Sequence, residues 1–260
     1  MKLSACIEWL FSDASDDFVQ RIHLAKQAGL DAVEFWRWSN KDIAAIEAAL
    51  RETGMTLSGF LAEPMISITD PANHAAFLDG LKQSAALAQR LGATVLIAQA
   101  GNDQPGVSRE DQHRALVSGL EASADILAGT GVRLGLEPLN TVIDHPGYYL
   151  SSTREALNIV DEVGRPEIGI VFDLYHSHIM GEAIDDVLAG RVSRVVHAHV
   201  ADHPGRNDPG SGEIDLGRRL AWLYDNGYEG AVGLEYRPLN GTANGLEKVR
   251  AALSVDSAAS

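Results

Sequence analysis

Residues 130–140 read TGVRLGLEPLN. Gly131 is the kind of residue that ends a helix, because glycine takes the left-handed conformation at a helix C-terminus without a Cβ clash. Leu134, Gly135 and Leu136 then read as a short buried strand. The strand ends on Glu137, and Pro138 is tolerated there because the chain is leaving the ladder. A helix stop, a buried strand and an acid at its far end form one unit, and most of the chain repeats it.

"AGLDAVEF" (28–35), "TGMTLSGF" (53–60) and "LGATVLIA" (91–98) follow the same logic. The candidate strands are "LSACIEW", "AVEFW", "TLSGF", "TVLIAQA", "RLGLEPL", "IGIVFDL", "SRVVHAHV" and "AVGLEY", all too short for helices and rich in Val, Ile and aromatics. Between them lie amphipathic stretches such as 16–29, 41–54, 74–92 and 108–131, several opening on Ser or Asp and closing on Gly. Strands separated by helices are parallel, and eight such units close an α/β (β/α)₈ TIM barrel, here as a single domain over residues 1–260. A doubly wound open sheet would carry a glycine-rich loop after the first strand, and "CIEWLFSDAS" (6–15) has no glycine. The last residues, "SVDSAAS", read as a frayed end, and the longest irregular stretches are 139–152 and 201–213.

With 260 residues, 45% of them hydrophobic, and a mean hydropathy near zero, the chain fits one globular domain. A formal charge of −15 argues against nucleic acid or an anionic membrane as partner, and an anionic small substrate would need local positive charge. The single cysteine, Cys6, excludes an intramolecular disulfide and fits a reducing compartment. The N-terminus turns acidic too early for a secretory signal and no apolar run reaches a membrane span, so a cytoplasmic location is expected. Self-association into a homo-oligomer stays open.

Four strands end on a potential metal ligand: Glu137, Asp173, His199 and Glu235, on the fifth to eighth strands by count. In a closed barrel these strands are neighbours. Gly135, Val171, His197 and Gly233 lie two residues earlier, which puts the four polar side chains on the inward face. Three carboxylates at one point repel unless a cation joins them. Three oxygen donors and an imidazole suit Mg²⁺ or Mn²⁺ better than a structural zinc. His176 could hydrogen-bond substrate or orient a ligand. Arg206, in a Gly/Pro/Asp-rich loop, could clamp a substrate carboxylate. His197, one layer deeper than His199, reads equally well as a hydrogen-bonded core residue. Glu8 and Glu63 read as ordinary polarity of the barrel mouth, "FWRW" (35–38) as packing or a pocket wall, and His178 and Glu182 as a solvated helix start.

Two glutamates facing each other across a cation suit aldose–ketose isomerisation or epimerisation. One takes a proton from the carbon beside a polarised carbonyl, the other returns one to the neighbouring carbon, and an enediolate lies between. "LGLEPLNTVIDHPGYYL", "VFDLYHSHIMGE", "HAHVADHPGRNDPGSGEIDL" and "GAVGLEYRP" together resemble the hydroxypyruvate isomerases of the xylose-isomerase-like barrel superfamily. The resemblance is specific over roughly residues 133–238. It implies interconversion of hydroxypyruvate and tartronate semialdehyde, with Glu137 and Glu235 as the proton-transfer pair, a divalent metal held by Glu137, Asp173, His199 and Glu235, and His176 and Arg206 at the substrate. Position 199 is histidine, as in ketose 3-epimerases, where hydroxypyruvate isomerases usually carry glutamine. A 2-oxo-tetronate isomerase or a ketose 3-epimerase is the alternative on the same site. An endonuclease IV-like nuclease would need a metal cluster and a basic face, and a non-catalytic sugar binder would not need two opposed glutamates.

Overall fold

The structure is a computed structural model that describes residues 1–253, so the end read as frayed lies outside the described residues. Its strands are β1 (Lys2–Cys6), β2 (Ala32–Glu34), β3 (Thr56–Leu57), β4 (Gly59–Leu61), β5 (Val95–Ala98), β6 (Arg133–Leu136), β7 (Ile168–Asp173), β8 (Val195–Val200) and β9 (Ala231–Leu234). All pairings between them are parallel, in the order β3-β2-β1-β9-β8-β7-β6-β5-β4. The two edge strands of that order are halves of one stretch of chain interrupted at Ser58. Ser58 N donates to Val33 O at 2.9 Å and Leu61 N to Trp36 O at 2.9 Å, which ties the seam and closes the ring. Eight strand positions in a (β/α)₈ TIM barrel result, as expected.

The helices are α1 (Phe18–Gln27), α2 (Ile43–Thr53), α3 (His74–Leu91), α4 (Arg109–Leu127), α5 (Thr153–Val163), α6 (Leu174–Ile179), α7 (Ile184–Val187), α8 (Leu216–Asp225) and α9 (Thr242–Leu253). Asp17, Asp42, Ser108, Ser152 and Asp215 accept backbone hydrogen bonds as their N-caps, and Gly54, Gly92 and Gly164 end helices in the left-handed conformation. Their apolar faces pack on the outside of the barrel and form the larger core. No helix among the described residues is long and apolar enough to cross a membrane. Cys6 is buried and free.

Inside the ring, Leu61, Val95, Ile97, Val171 and Val196 form a separate apolar cluster below the mouth. Gly135 makes room for it, because a Cβ there would meet Val171 and Val196 at 2.7 Å. The register slips once, where Ile170 pairs with Val195 but Val171 pairs with His197. This bulge fills the interior with Val196 and sets the register above it, in which Asp173 lies beside His199 and His199 beside Gly233.

Candidate active site

The four strand-end residues meet. Glu137, Asp173, His199 and Glu235 are all buried, and each offers a ligand atom within 4.8 Å of the others. They sit one residue past β6, at the end of β7, one before the end of β8 and one past β9, so the last turn of each strand aims them into the mouth. His199 Nδ1 is 3.0 Å from Glu137 Oε1 and 3.6 Å from Glu235 Oε2.

Each carboxylate is held by its surroundings with one edge toward the others. Asp173 caps α6: its Oδ1 accepts from Tyr175 N at 2.8 Å and His176 N at 3.2 Å, which leaves Oδ2 toward the site. Glu235 Oε1 accepts from Trp36 Nε1 at 2.7 Å and Oε2 from Arg206 Nη2 at 2.5 Å. Burial pushes the Glu137 carboxyl up; the hydrogen bond from His199 opposes this, and Glu235 and Asp173 add to the rise. Burial likewise works against charge on His199, but Glu235 and Glu34 outweigh it and hold the imidazole well above its ordinary range.

Three carboxylates face one guanidinium and one imidazole among buried side chains, and the net negative charge is costly there. Oxygen donors in excess over nitrogen, with no thiolate, fit a hard divalent cation.

His176 is 2% exposed, and its tautomer follows from its partner. The backbone N of Asn140 lies 3.2 Å from Nδ1 and can only donate, so Nδ1 accepts. Burial, with Arg206 nearby, holds this ring well below its ordinary range, so it is neutral and carries its proton on Nε2. That Nε2 is buried and makes no hydrogen bond, its nearest acid being Asp173 at 3.5 Å. Asn140 is itself fixed, because Oδ1 accepts from Ile143 N and Asp144 N while Nδ2 donates to Asp144 Oδ2 at 2.7 Å.

Arg206 reaches the cluster from the loop after β8. Its φ of 56° is the left-handed region that non-glycine residues avoid, and Asp202 holds the loop that imposes it. The buried Asp202 carboxylate accepts from the backbone N of His203, Gly210, Gly212 and Ile214 at 2.9–3.0 Å. The guanidinium lies 5.1 Å from the centre of the Trp9 ring and 5.4 Å from that of Tyr175. Besides Glu235 it lies 3.5 Å from Asp173 Oδ2.

A cavity of about 340 Å³ opens above these groups, walled by Trp9, Trp36, Leu61, Ile97 and Leu139. Within "FWRW", Trp36 is both wall and hydrogen-bond donor, while Trp38 donates to Ser84 Oγ at 3.0 Å, away from the cavity. Glu8 pairs with Lys41 at 2.6 Å and Glu63 with Arg37 at 2.8 Å, so both are structural links at the mouth. Glu182 departs from expectation. It is not simply solvated: it accepts from Thr153 N at 2.8 Å and Ser177 Oγ at 3.0 Å, joining α5 to α6. His178, at the mouth's outer edge, pairs with Glu213 at 3.2 Å.

Two features escape a reading of the sequence alone. Trp9 carries both Arg206 and Arg237, each 5.1 Å from its ring centre. Glu34, at the end of β2, lies under His199 and contacts both buried histidines of β8. A signal for Glu34 existed, since it ends its strand as Glu137 ends β6, but nothing local shows which groups it faces. His197 resolves as a buried residue hydrogen-bonded to Glu34 at 2.9 Å.

The family model for the xylose isomerase-like TIM barrel matches residues 22–253. A putative hydroxypyruvate isomerase of Mus musculus is 32% identical over 96% of this chain and 94% of its own length. The hydroxypyruvate isomerase of Escherichia coli K12 is 30% identical over 95% and 97%. Among solved structures, one described as an AP endonuclease, family 2, from Brucella melitensis superposes with a TM-score of 0.88 at 28% identity, over 94% of this chain and 96% of that one. The chain belongs to the xylose isomerase-like TIM barrel family and is an isomerase.

Proposed function

We propose that the protein interconverts hydroxypyruvate and tartronate semialdehyde through an enediolate, using Glu137 and Glu235 as the proton-transfer pair. The observation that carries this reading is the meeting of two buried glutamates, an aspartate and a histidine at one point under a cavity of small-molecule size. Glu137, Asp173, His199 and Glu235 would hold a divalent cation, with Mg²⁺ or Mn²⁺ matching the donor set. Such an ion would polarise the substrate carbonyl and so acidify the hydroxymethyl carbon beside it.

This chain's residues do the rest. One glutamate removes a proton from the hydroxymethyl carbon of hydroxypyruvate, and the electron pair forms the enediolate double bond. The other delivers a proton to the former carbonyl carbon, while the hydroxyl proton passes from one oxygen to its neighbour. Nothing is oxidised or reduced overall, and the reverse direction uses the same two groups. That Glu137 Oε2 accepts no hydrogen bond among the described residues supports its taking the first proton. His176 Nε2–H donates to a substrate oxygen, and its neutral state keeps that donation from becoming a proton loss. Arg206 binds substrate at the reacting end while its hydrogen bond to Oε2 holds the Glu235 side chain in place. The Trp9 and Trp36 walls exclude water from the enediolate.

A substrate acid group also finds charge at the rim. Arg237 lines the cavity over Trp9, and its guanidinium has no carboxylate partner among the described residues, unlike Arg37 and Arg206. This favours a small keto acid over a free ketose. A 2-oxo-tetronate is the second reading, since it keeps the hydroxy-ketone pair beside the carboxylate and adds its extra carbon beyond the hydroxyl-bearing carbon.

The test is solvent-deuterium exchange with hydroxypyruvate and Mn²⁺, followed for the wild type, Glu137→Gln and Glu235→Gln. The wild type washes deuterium into the carbon-bound position. Each variant, folded by circular dichroism, loses turnover by at least about 10³-fold, the scale of a positioned acid–base group. Wild-type rates from either variant would remove the paired-glutamate mechanism.

A further inference from the structure

Beneath the four-residue cluster lies a second polar layer that the reaction does not use. Glu34 is 3% exposed, and no Lys or Arg pairs with it among the described residues. Its Oε2 accepts from His197 Nε2 at 2.9 Å and from Ser58 Oγ at 2.9 Å, and Ser58 Oγ in turn shares a hydrogen bond with Ser4 Oγ at 2.7 Å. Its Oε1 lies 3.1 Å from His199 Nε2, close enough for charge attraction but off the N–H direction. The sequence leaves space for this contact: a Cβ on Gly233, the register partner of His199, would stand 2.4 Å from Glu34 Oε1 and 2.5 Å from the His199 ring.

We infer that Glu34 is a positioning residue for the metal site, acting through His199. The inference rests on the metal reading given above. An imidazole can give one ring nitrogen to a cation only if the proton sits on the other. His199 turns Nδ1 toward Glu137 and Glu235, so Nε2 must keep the proton, and Glu34 is the acid that faces it. A carboxylate behind a ligating histidine fixes the ring plane and strengthens the ligand nitrogen. His197 and Ser58 hold the carboxylate, so the ordering of His199 reaches across the barrel to the seam at Ser58 that closes the ring. The layer is built from β2, β8 and the join between β3 and β4, elements that contribute nothing else to the cluster except His199 itself.

A structural account of the same contacts is that Glu34 only neutralises two buried histidines. A third account is that Glu34, His197 and His199 hold an ion of their own, since their donor atoms also lie within 4.8 Å of one another. Titration calorimetry of the metal-stripped protein with Mn²⁺ separates the three. The wild type binds one ion per chain. Glu34→Gln, isosteric but neutral and able to donate into Nε2, binds one ion about 10–100-fold more weakly, the usual cost of losing such a partner. Glu34→Asp, which keeps the charge one methylene further back, falls between the two. Equal affinity in wild type and Glu34→Gln, with both folded, overturns the inference and leaves a structural role. Two ions in the wild type with one lost in Glu34→Gln overturns it in favour of a second site. No binding by the wild type overturns the metal reading itself, and this inference with it. If Glu34→Gln does not fold, Ser58→Ala tests the same chain of contacts: it loosens the carboxylate and weakens Mn²⁺ binding by several-fold, and unchanged affinity overturns the inference.

Discussion

Arg206 and Arg237 show how little a residue's type says about its work. Both guanidiniums sit against Trp9 at the mouth. Arg206 is 12% exposed at its side chain and already committed to Glu235 and Asp173, whereas Arg237 is exposed and holds no acid among the described residues. Replacing Arg237 with Gln should therefore raise KM for hydroxypyruvate by about 5–20-fold, on the scale of one partly solvated charge-assisted contact. Turnover should change little, and exchange on a neutral ketose not at all. Steady-state kinetics on the acid and the neutral substrate check this, and equal effects on both would assign Arg237 to packing. Removing Arg206 is expected to act differently, lowering kcat as well, because Glu235 loses the hydrogen bond that orients it.

The connections between elements carry their own predictions. Glu63, after β4, accepts from Ser39 N at 2.9 Å, Ser39 Oγ at 3.1 Å and Arg37 Nε at 2.8 Å, fastening the loop after β2 to the next strand position. Burial opposes its charge, but Arg37 and Ser39 prevail and hold the carboxyl below its ordinary value of 4.5. A depressed folded-state value means the unfolded chain takes up the proton first as pH falls. The stabilisation is thus complete above the unfolded value and is lost as pH falls through the lower folded value. Glu63→Gln should cost about 1 kcal/mol at neutral pH, a modest figure because Arg37 is mostly in solvent, and progressively less as pH falls below the ordinary carboxyl range. Urea unfolding across that window measures it, and a pH-independent difference would contradict the assignment. Asp202 is the counterpart on the loop after β8. Its replacement by Ala strands four backbone donors and should cost about 2–4 kcal/mol, together with most of the activity, because Arg206 loses its placement. A variant that is destabilised but fully active would separate the loop from the site.

At the scale of the molecule, the proposed metal site would make folding and cation binding one problem. Four ligands from four strands converge only in the closed ring, so an ion held there binds the folded chain and not the unfolded one. Adding Mn²⁺ at about 100 times its dissociation constant should stabilise the protein by about 2.7 kcal/mol. Asp173→Asn should lose most of that gain while keeping its cap on α6, since asparagine serves there nearly as well. Thermal unfolding with and without the ion reads the difference. A stabilisation that survives in Asp173→Asn would place the ion elsewhere.

Much of this molecule is written along the chain. Gly131, Leu134, Leu136 and Glu137 already give a helix stop, a buried strand and a polar strand end, because glycine conformation, hydrophobic period and strand length are local properties. Eight such units lead to the barrel, and the barrel makes Glu137, Asp173, His199 and Glu235 neighbours without any contact being known. What the tertiary structure alone decided is the direction and electrostatic setting of each side chain. Glu34 and His197 are 163 residues apart and Trp36 and Glu235 are 199 apart, yet each pair shares a hydrogen bond. The tautomer of His176 depends on Asn140, the commitment of Arg206 on Glu235, and the closure of the ring on a break at Ser58. Charge and hydrogen-bond state are set by whatever lies within a few ångströms in space, and chain order does not encode that distance.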